Sequence, residues 1–308
     1  MEEKNSRGER PGVLLIVLAT IGGLALLGFL FTFLITVLIV RGGVESVSEV
    51  SGNRIGIVEI KGVITTPEKA LDAMKQFREN ENVKAVVLRI DSPGGAVGAS
   101  QEIFQEARRL DMVKPVIASL GNTAASGGYY SAVGARYIVA NPGTVTGSIG
   151  VIMKLPNVEK LLEKLGIKTT VIKSGRLKDL ASITRELSPE ERAVLKSVLD
   201  DIHGQFIRDV AQGRSLPEEK VKSLADGRIF SGQQALELKL VDELGNFSVA
   251  LDKAAEIAKI SGEWKVLYPK KDKITAIREI LEESGARTIL NLVDLMSQRN
   301  SSSAVVPE

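Results

Sequence analysis

The sequence predicts an α/β domain built on a largely parallel sheet, and three observations support this. From Arg54 onward, short β-branched runs alternate with amphipathic helical stretches. Glycine-rich turns, Asp91–Ala96 and Asn122–Ser131, follow two of the predicted strands, where open α/β sheets gather their functional loops. The 308 residues are enough for one sizeable core plus appendages.

Ahead of the domain, Gly12 to Val40 carries no charge and is rich in Leu, Ile, Val and Phe. At about 1.5 Å per residue, this run as a helix exceeds the roughly 30 Å hydrocarbon core, so residues 12–40 are expected to span a bilayer. A cleaved signal has an apolar region of only about 7–15 residues, which favours a retained anchor. Lys4, Arg7 and Arg10 precede the span and only Arg41 follows closely. The positive-inside rule therefore places residues 1–11 in the cytoplasm and the bulk of the chain outside. Residues 41–52 read as a polar linker.

Within the domain, Arg54–Ile60 is expected as the first strand, Gly62–Thr65 as a turn, and Thr66-Pro67-Glu68 as the opening of a helix to about Glu79. Lys84–Ile90 reads as the second strand, Ala96–Arg109 as a helix and Pro115–Leu120 as the third strand. Tyr137–Ala140, Ile149–Met153 and Thr169–Lys173 complete the expected sheet. Ser188, Pro189 and Glu191 stand at capping-box spacing before a long helix. Asn246–Ile260 reads as a helix and Trp264–Tyr268 as a short strand. Residues 261–300 form a C-terminal extension in which Lys273–Glu283 and Arg287–Met296 are amphipathic. The apolar face of Ile274, Ile277, Ile280 and Leu281 suits packing against the body or a neighbouring subunit. Residues 301–308 are small and polar, an expected disordered tail.

The chemistry centres on Asn122–Ser131. Ser126 is followed directly by Gly127 and Gly128 where an apolar strand runs into a turn. A serine there has an exposed oxygen and a free N–H behind it, as a nucleophile needs; a small-residue turn packed on a helix is the plainer alternative. The sequence holds one histidine, His203, and no cysteine. A cysteine nucleophile and a cysteine-rich zinc site are excluded, and His203 sits in an ordinary amphipathic helix. The base for an active Ser126 is then expected to be a lysine whose amine is kept neutral by burial or neighbours. Lys173 and Lys178 both qualify, and spacing does not choose between them. Pro93-Gly94-Gly95 can present backbone N–H groups to an oxyanion, though an ordinary βα turn would look the same. There is no Gly-Lys-Ser/Thr ending and no GxGxxG to bind a nucleotide. A net charge of +2 provides no long-range field for nucleic acid.

Several motifs stand in order within a match over about residues 53 to 250: Asp91-Ser-Pro-Gly-Gly, Ala125-Ser-Gly-Gly-Tyr-Tyr, Thr146-Gly-Ser-Ile-Gly-Val, Lys173-Ser-Gly-x-x-Lys-Asp, Thr184-Arg-Glu, Ala225-Asp-Gly-Arg and Leu240-Val-Asp-Glu-Leu-Gly. Through them the chain resembles the short form of the signal peptide peptidase (SppA) family, membrane-anchored serine proteases. The resemblance implies a Clp protease/crotonase-like α/β fold of repeated β-β-α units behind the N-terminal transmembrane helix, with residues 53–260 as the protease domain. It implies Ser126 as nucleophile, Lys178 as general base, Ser148 orienting the lysine amine, and the N–H groups of Gly95 and Gly127 as oxyanion hole. No cofactor or metal is implied. Signal peptide remnants or other short, unfolded polypeptides would be the substrates, and a ring-shaped homo-oligomer would combine groups from adjacent subunits in each active site. The family often has Ser-Pro-x-Arg where this chain reads Ser182-Ile183-Thr184-Arg185. Three other readings compete: an anchored peptidase with a dedicated membrane-protein substrate, a non-catalytic membrane scaffold, and a crotonase-like acyl-CoA enzyme.

Overall fold

The computed structural model describes residues 53–269 and, nearer the N-terminus, Gly23, Leu26–Leu30 and Phe33, which are helical and exposed. The rest of the expected span, the linker to residue 52 and the extension and tail from residue 270 onward lie outside the described residues. Among the described residues no helix is long and apolar enough to cross a membrane.

A mixed α/β fold with a parallel-rich sheet holds the site. β1 (Arg54–Lys61) pairs with β2 (Val83–Ser92), and β2 with β3 (Val116–Ala125), all parallel. β8 (Lys265–Leu267) adds to the outer edge of β1. The far edge of β3 serves two neighbours. Ile117–Leu120 pairs with β4 (Tyr137–Ala140), and Thr123–Ala125 pairs with β5 (Val145–Gly147). β4 passes on to β7 (Glu243–Leu244), and β5 to β6 (Ile229–Ser231) in the only antiparallel pairing among the described strands.

The central strands read as near-continuous apolar runs because both their faces are covered. On one face α1 (Glu68–Glu79), α2 (Val97–Asp111) and the short α3 (Gly127–Ala132) build a core with Met74, Phe77, Leu88, Ile103, Tyr129 and Leu120. On the other, α8 (Phe247–Ile257) packs against Ile55, Ile57, Val87, Ile117 and Val139. Gly56 lets the Phe77 ring lie directly on β1, since a Cβ there would stand 2.7 Å from it. The capping box reads true. Ser188 Oγ accepts the Glu191 N–H, and the Glu191 carboxylate accepts the Ser188 N–H, at the start of α5 (Pro189–Arg214). α6 (Glu218–Leu224) and α7 (Gly232–Glu237) follow it, and α4 (Glu159–Lys164) lies between β5 and α5.

Two expected strands are absent. Ile149–Met153 and Thr169–Lys173 form no strand, and the sheet continues instead through β5 and β6. The reason is burial. From Val151 to Lys178 the chain runs as an exposed arm whose one helix, α4, buries no residue. Ile152 is 78% and Ile172 97% exposed. β-branched residues favour strands only where a pleated surface packs against something, and within one chain these have nothing to cover them.

Candidate active site

Two strand ends build the site. β3 delivers Ser126 into a turn before α3 with φ 52° and ψ −122°. A non-glycine residue in such a conformation costs about 1–3 kcal/mol and persists only when its surroundings over-determine it. Here they do. The Ser126 N–H donates to the Gly147 carbonyl at 2.8 Å, and the Ser126 carbonyl accepts the Tyr130 N–H at 2.8 Å. Ser126 is half-buried, and its Oγ makes no hydrogen bond among the described residues. This is the strained strand-to-helix elbow that presents a serine oxygen outward.

The loop after β2 comes to meet it. The buried Ser92 Oγ accepts the Gly94 N–H at 3.0 Å, and Gly94 takes φ 98°. Ile64 then bridges Gly95, donating to the Gly94 carbonyl at 2.9 Å and accepting the Ala96 N–H at 2.7 Å. These bonds leave the Gly95 N–H pointing the other way, beside Gly127: a Cβ on Gly127 would lie 3.2 Å from the Gly95 nitrogen. Neither N–H donates to another group among the described residues. Gly127 opens α3, so its N–H is one of the orphan donors of a helix start. A Cβ on Gly94 would sit 2.6 Å from the Gly127 nitrogen, so glycine at 94 keeps that donor uncovered. Asp91 has a structural part: its carboxylate accepts the Thr123 N–H at 3.0 Å and the Asn122 side chain at 3.1 Å across a register shift between β2 and β3.

A small cleft beside Ser126 is lined by Val97, Tyr130, Val151, Ile202 and Phe206. Tyr130 stacks on Phe206 with ring centroids 4.2 Å apart and donates its hydroxyl to Asp209 of α5. Burial and that carboxylate push the Tyr130 phenol above its usual range, so it stays protonated and remains a donor.

The remaining sequence-predicted residues divide. Ser148, with φ 51°, follows Gly147 on the strand next to Ser126, and its N–H donates to the Arg228 carbonyl at 2.8 Å. The Ala225-Asp-Gly-Arg motif thus serves to hold the Thr146-Gly-Ser stretch, with Gly227 donating to the Ile149 carbonyl at 3.2 Å. Lys173 and Lys178 are exposed on the arm, and neither ammonium forms a hydrogen bond or ion pair among the described residues. Within one chain the structure does not bring Lys178 to Ser126. His203 lies on α5 beside Ile202, and its Nε2 is buried without a hydrogen-bond partner among the described residues. No group of three or more His, Asp or Glu among the described residues could hold a metal ion.

Sequence reasoning missed one cluster. Arg185 donates from Nε to Asp179 Oδ2 at 2.9 Å, and from Nη2 to the Asp179 carbonyl at 2.8 Å. Nη1 and Nη2 fork onto Glu191 at 2.8 and 2.6 Å. The Thr184-Arg185 motif was the available signal, but no local spacing joins it to both carboxylates.

Comparison with known proteins follows the same lines. The profile of peptidase family S49 matches residues 108–261. A Synechocystis sp. protein, named as a candidate protease, is 47% identical over 229 residues, covering 74% of this chain and 82% of the relative. An Enterococcus faecium protein, named as a candidate signal peptide peptidase SppA, is 40% identical over 64% of this chain and 58% of its own length. Protease 4 of Salmonella typhi is 36% identical over 80% of this chain, which spans only 38% of that protein. A strained Ser126 elbow, two undonated N–H groups at its side and these matches lead to one conclusion: the chain belongs to peptidase family S49 and is a serine peptidase.

Proposed function

We propose that this chain is a membrane-anchored endopeptidase that cleaves signal peptides or other short, unfolded polypeptides through an acyl-enzyme on Ser126. Residues 12–40 serve as the anchor, with residues 1–11 cytoplasmic and the catalytic domain outside. The observation that carries the reading is the Ser126 elbow, with the Gly95 and Gly127 N–H groups undonated beside it. Ser126 Oγ attacks a peptide carbonyl carbon and its proton passes to the neutral amine of Lys178, which Ser148 orients. The two N–H groups receive the oxyanion; loss of one such donor costs about 100- to 1000-fold in kcat. The C–N bond then breaks as the lysine returns its proton to the leaving amine. Water hydrolyses the ester by the same proton route.

The lysine comes from a neighbouring copy in this reading, as the expected ring would allow. Ile202 and Phe206 of α5 line the serine's cleft, while Glu191, in the first turn of α5, is tied through Arg185 to Asp179. At about 1.5 Å per residue the helix from Glu191 to Ile202 is about 16 Å long. The residue next to Lys178 is therefore tied to the first turn of α5, about three helical turns from the middle of the helix that lines its own chain's serine cleft. A second copy laid over the exposed arm would also bury Ile152 and Ile172.

The test is cleavage of signal-peptide substrates by the full-length protein in detergent, with Ser126→Ala and Lys178→Ala beside it and fluorophosphonate labelling as a second readout. Both variants should be inactive, and the mixture of the two should regain part of the activity by pairing an intact serine with an intact lysine. A folded Lys178→Ala protein with wild-type turnover would refute the base assignment. Failure of the mixture to recover, with subunit exchange demonstrated, would refute the shared site.

A further inference from the structure

The Arg185 cluster takes no part in the bond-making and proton-transfer steps above. Its guanidinium engages two carboxylates and a carbonyl with all three of its nitrogens, and Nη1 also reaches the Glu186 carbonyl at 3.1 Å. Glu191 is 4% exposed and is the only carboxylate among the described residues buried to that degree. A buried carboxylate is retained when it is paired and its remaining lone pairs are satisfied. The Arg185 fork and the Ser188 N–H do both. At the other end of the guanidinium lies Asp179, held by side chain and backbone together, and Asp179 is the residue after Lys178.

The turn between them is unusually constrained. Lys178 N–H donates to the Gly175 carbonyl at 3.0 Å, and Leu180 N–H to the Leu177 carbonyl at 3.0 Å. Ala181 sits at φ 65°, a conformation that a residue with a Cβ holds only when its surroundings impose it. The arm before this point is exposed, whereas Asp179–Ser182 and Thr184–Arg185 are half-buried. Arg185 therefore helps fasten the exposed arm to the start of α5, where Arg176 also pairs with Glu190, and it is the residue that holds the neighbour of Lys178 directly. The capping box already secures the start of α5 through Ser188, so helix stability alone does not account for the two bonds to Asp179.

We propose that Arg185 is a positioning residue for Lys178: by locking Asp179 to the buried Glu191 it sets the place and direction from which the lysine amine is presented. The inference rests on Lys178 being the general base. Lysine is no substitute for arginine here, because a point-charge ammonium cannot fork onto Glu191 while also holding Asp179.

The experiment uses the full-length, assembled protein and compares Arg185→Gln, Arg185→Lys, Lys178→Ala and the Arg185→Gln/Lys178→Ala double variant. It measures kcat and KM on a peptide substrate and the rate of fluorophosphonate labelling of Ser126. Displacing a reactive group by about 1 Å costs on the order of a hundredfold. Arg185→Gln and Arg185→Lys should thus lose about a hundredfold in kcat with KM within a few-fold of wild type. On the Lys178→Ala background, Arg185→Gln should slow labelling no further, because the group it positions has gone. Arg185→Lys keeps the charge and serves where Arg185→Gln fails to fold. Wild-type kcat in folded Arg185→Lys overturns the proposal, as does an additional hundredfold loss in the double variant. Wild-type turnover in Lys178→Ala has a separate meaning: it overturns the base assignment, and the positioning role with it.

Discussion

Replacing Gly94 with alanine is the sharpest test of the oxyanion hole proposed at Gly95 and Gly127. The new Cβ would stand 2.6 Å from the Gly127 nitrogen, 2.9 Å from Ser126 Cβ and 3.0 Å from the Ala125 carbonyl oxygen. It would therefore cover the Gly127 N–H and crowd the Cβ of Ser126, the proposed nucleophile. With φ at 98°, alanine is also strained by about 1–3 kcal/mol. Covering one oxyanion donor costs about 2.7–4 kcal/mol of barrier, or roughly 100- to 1000-fold in kcat. KM should change little, because the ground-state carbonyl depends less on that donor. Gly98→Ala is the control. It lies nearby in α2, exposed, with nothing within 4 Å of its Cβ, and should gain up to about 1 kcal/mol of stability with unchanged turnover. Steady-state kinetics on a chromogenic peptide, normalised to active sites by fluorophosphonate titration, separates the two. A folded Gly94→Ala protein with wild-type kcat would show that the Gly127 N–H does not receive the developing charge.

Two further outcomes follow from the ion pairs. Arg214 forks onto Asp242 at 2.7 and 2.9 Å, with the arginine side chain 5% and the aspartate 27% exposed. Asp242→Asn should cost about 3 kcal/mol, near the lower end for breaking a buried pair, and lower Tm by about 6–12 °C in a thermal melt. Activity per folded active site should be unchanged. Glu191 is held down to about 2, first by the Arg185 hydrogen bonds and then by the Ser188 N–H. A carboxylate lowered on folding stabilises the fold above its ordinary value of 4.5 and loses that contribution as pH falls towards 2. Melting temperature should thus fall between pH 5 and 2 less steeply in Glu191→Gln than in wild type. Equal slopes would show that the clamp is not coupled to folding.

Fold and site were legible in the sequence to different depths. Strands β1 to β4 and helices α1, α2, α5 and α8 fall where apolar runs, caps and glycine turns indicate, because the pattern that marks each lies within a short stretch of chain. Local turn chemistry marked Ser126, Gly127 and the Pro93-Gly94-Gly95 turn for the same reason, and the family resemblance singled out Gly95 within that turn. The misreading of Ile149–Met153 and Thr169–Lys173 as strands has a physical cause: a β-branched run states that it wants covering, without saying by what. Single-sequence patterns also gave no hint of the Arg185 cluster, whose partners Asp179 and Glu191 lie on a turn and a helix that meet only in three dimensions. The fork of β3 was hidden likewise, since the three-residue β5 carries too little pattern to be noticed beside its longer neighbours.

That fork has a consequence of its own. The last residues before Ser126 leave β4 and rest on a ladder only three residues long, Thr123–Ala125 against Val145–Gly147. The bond from the Ser126 N–H to the Gly147 carbonyl is the end of this ladder and fixes the unfavourable backbone angle. On its other edge the same segment keeps one pairing to β2, Ser92 with Ala124, so local opening here would breach the main core only at its margin. The angle of the serine is thus set by the shortest parallel ladder of β3. The geometry on which the proposed role of Ser126 depends can therefore be lost, and regained, by local opening short of global unfolding.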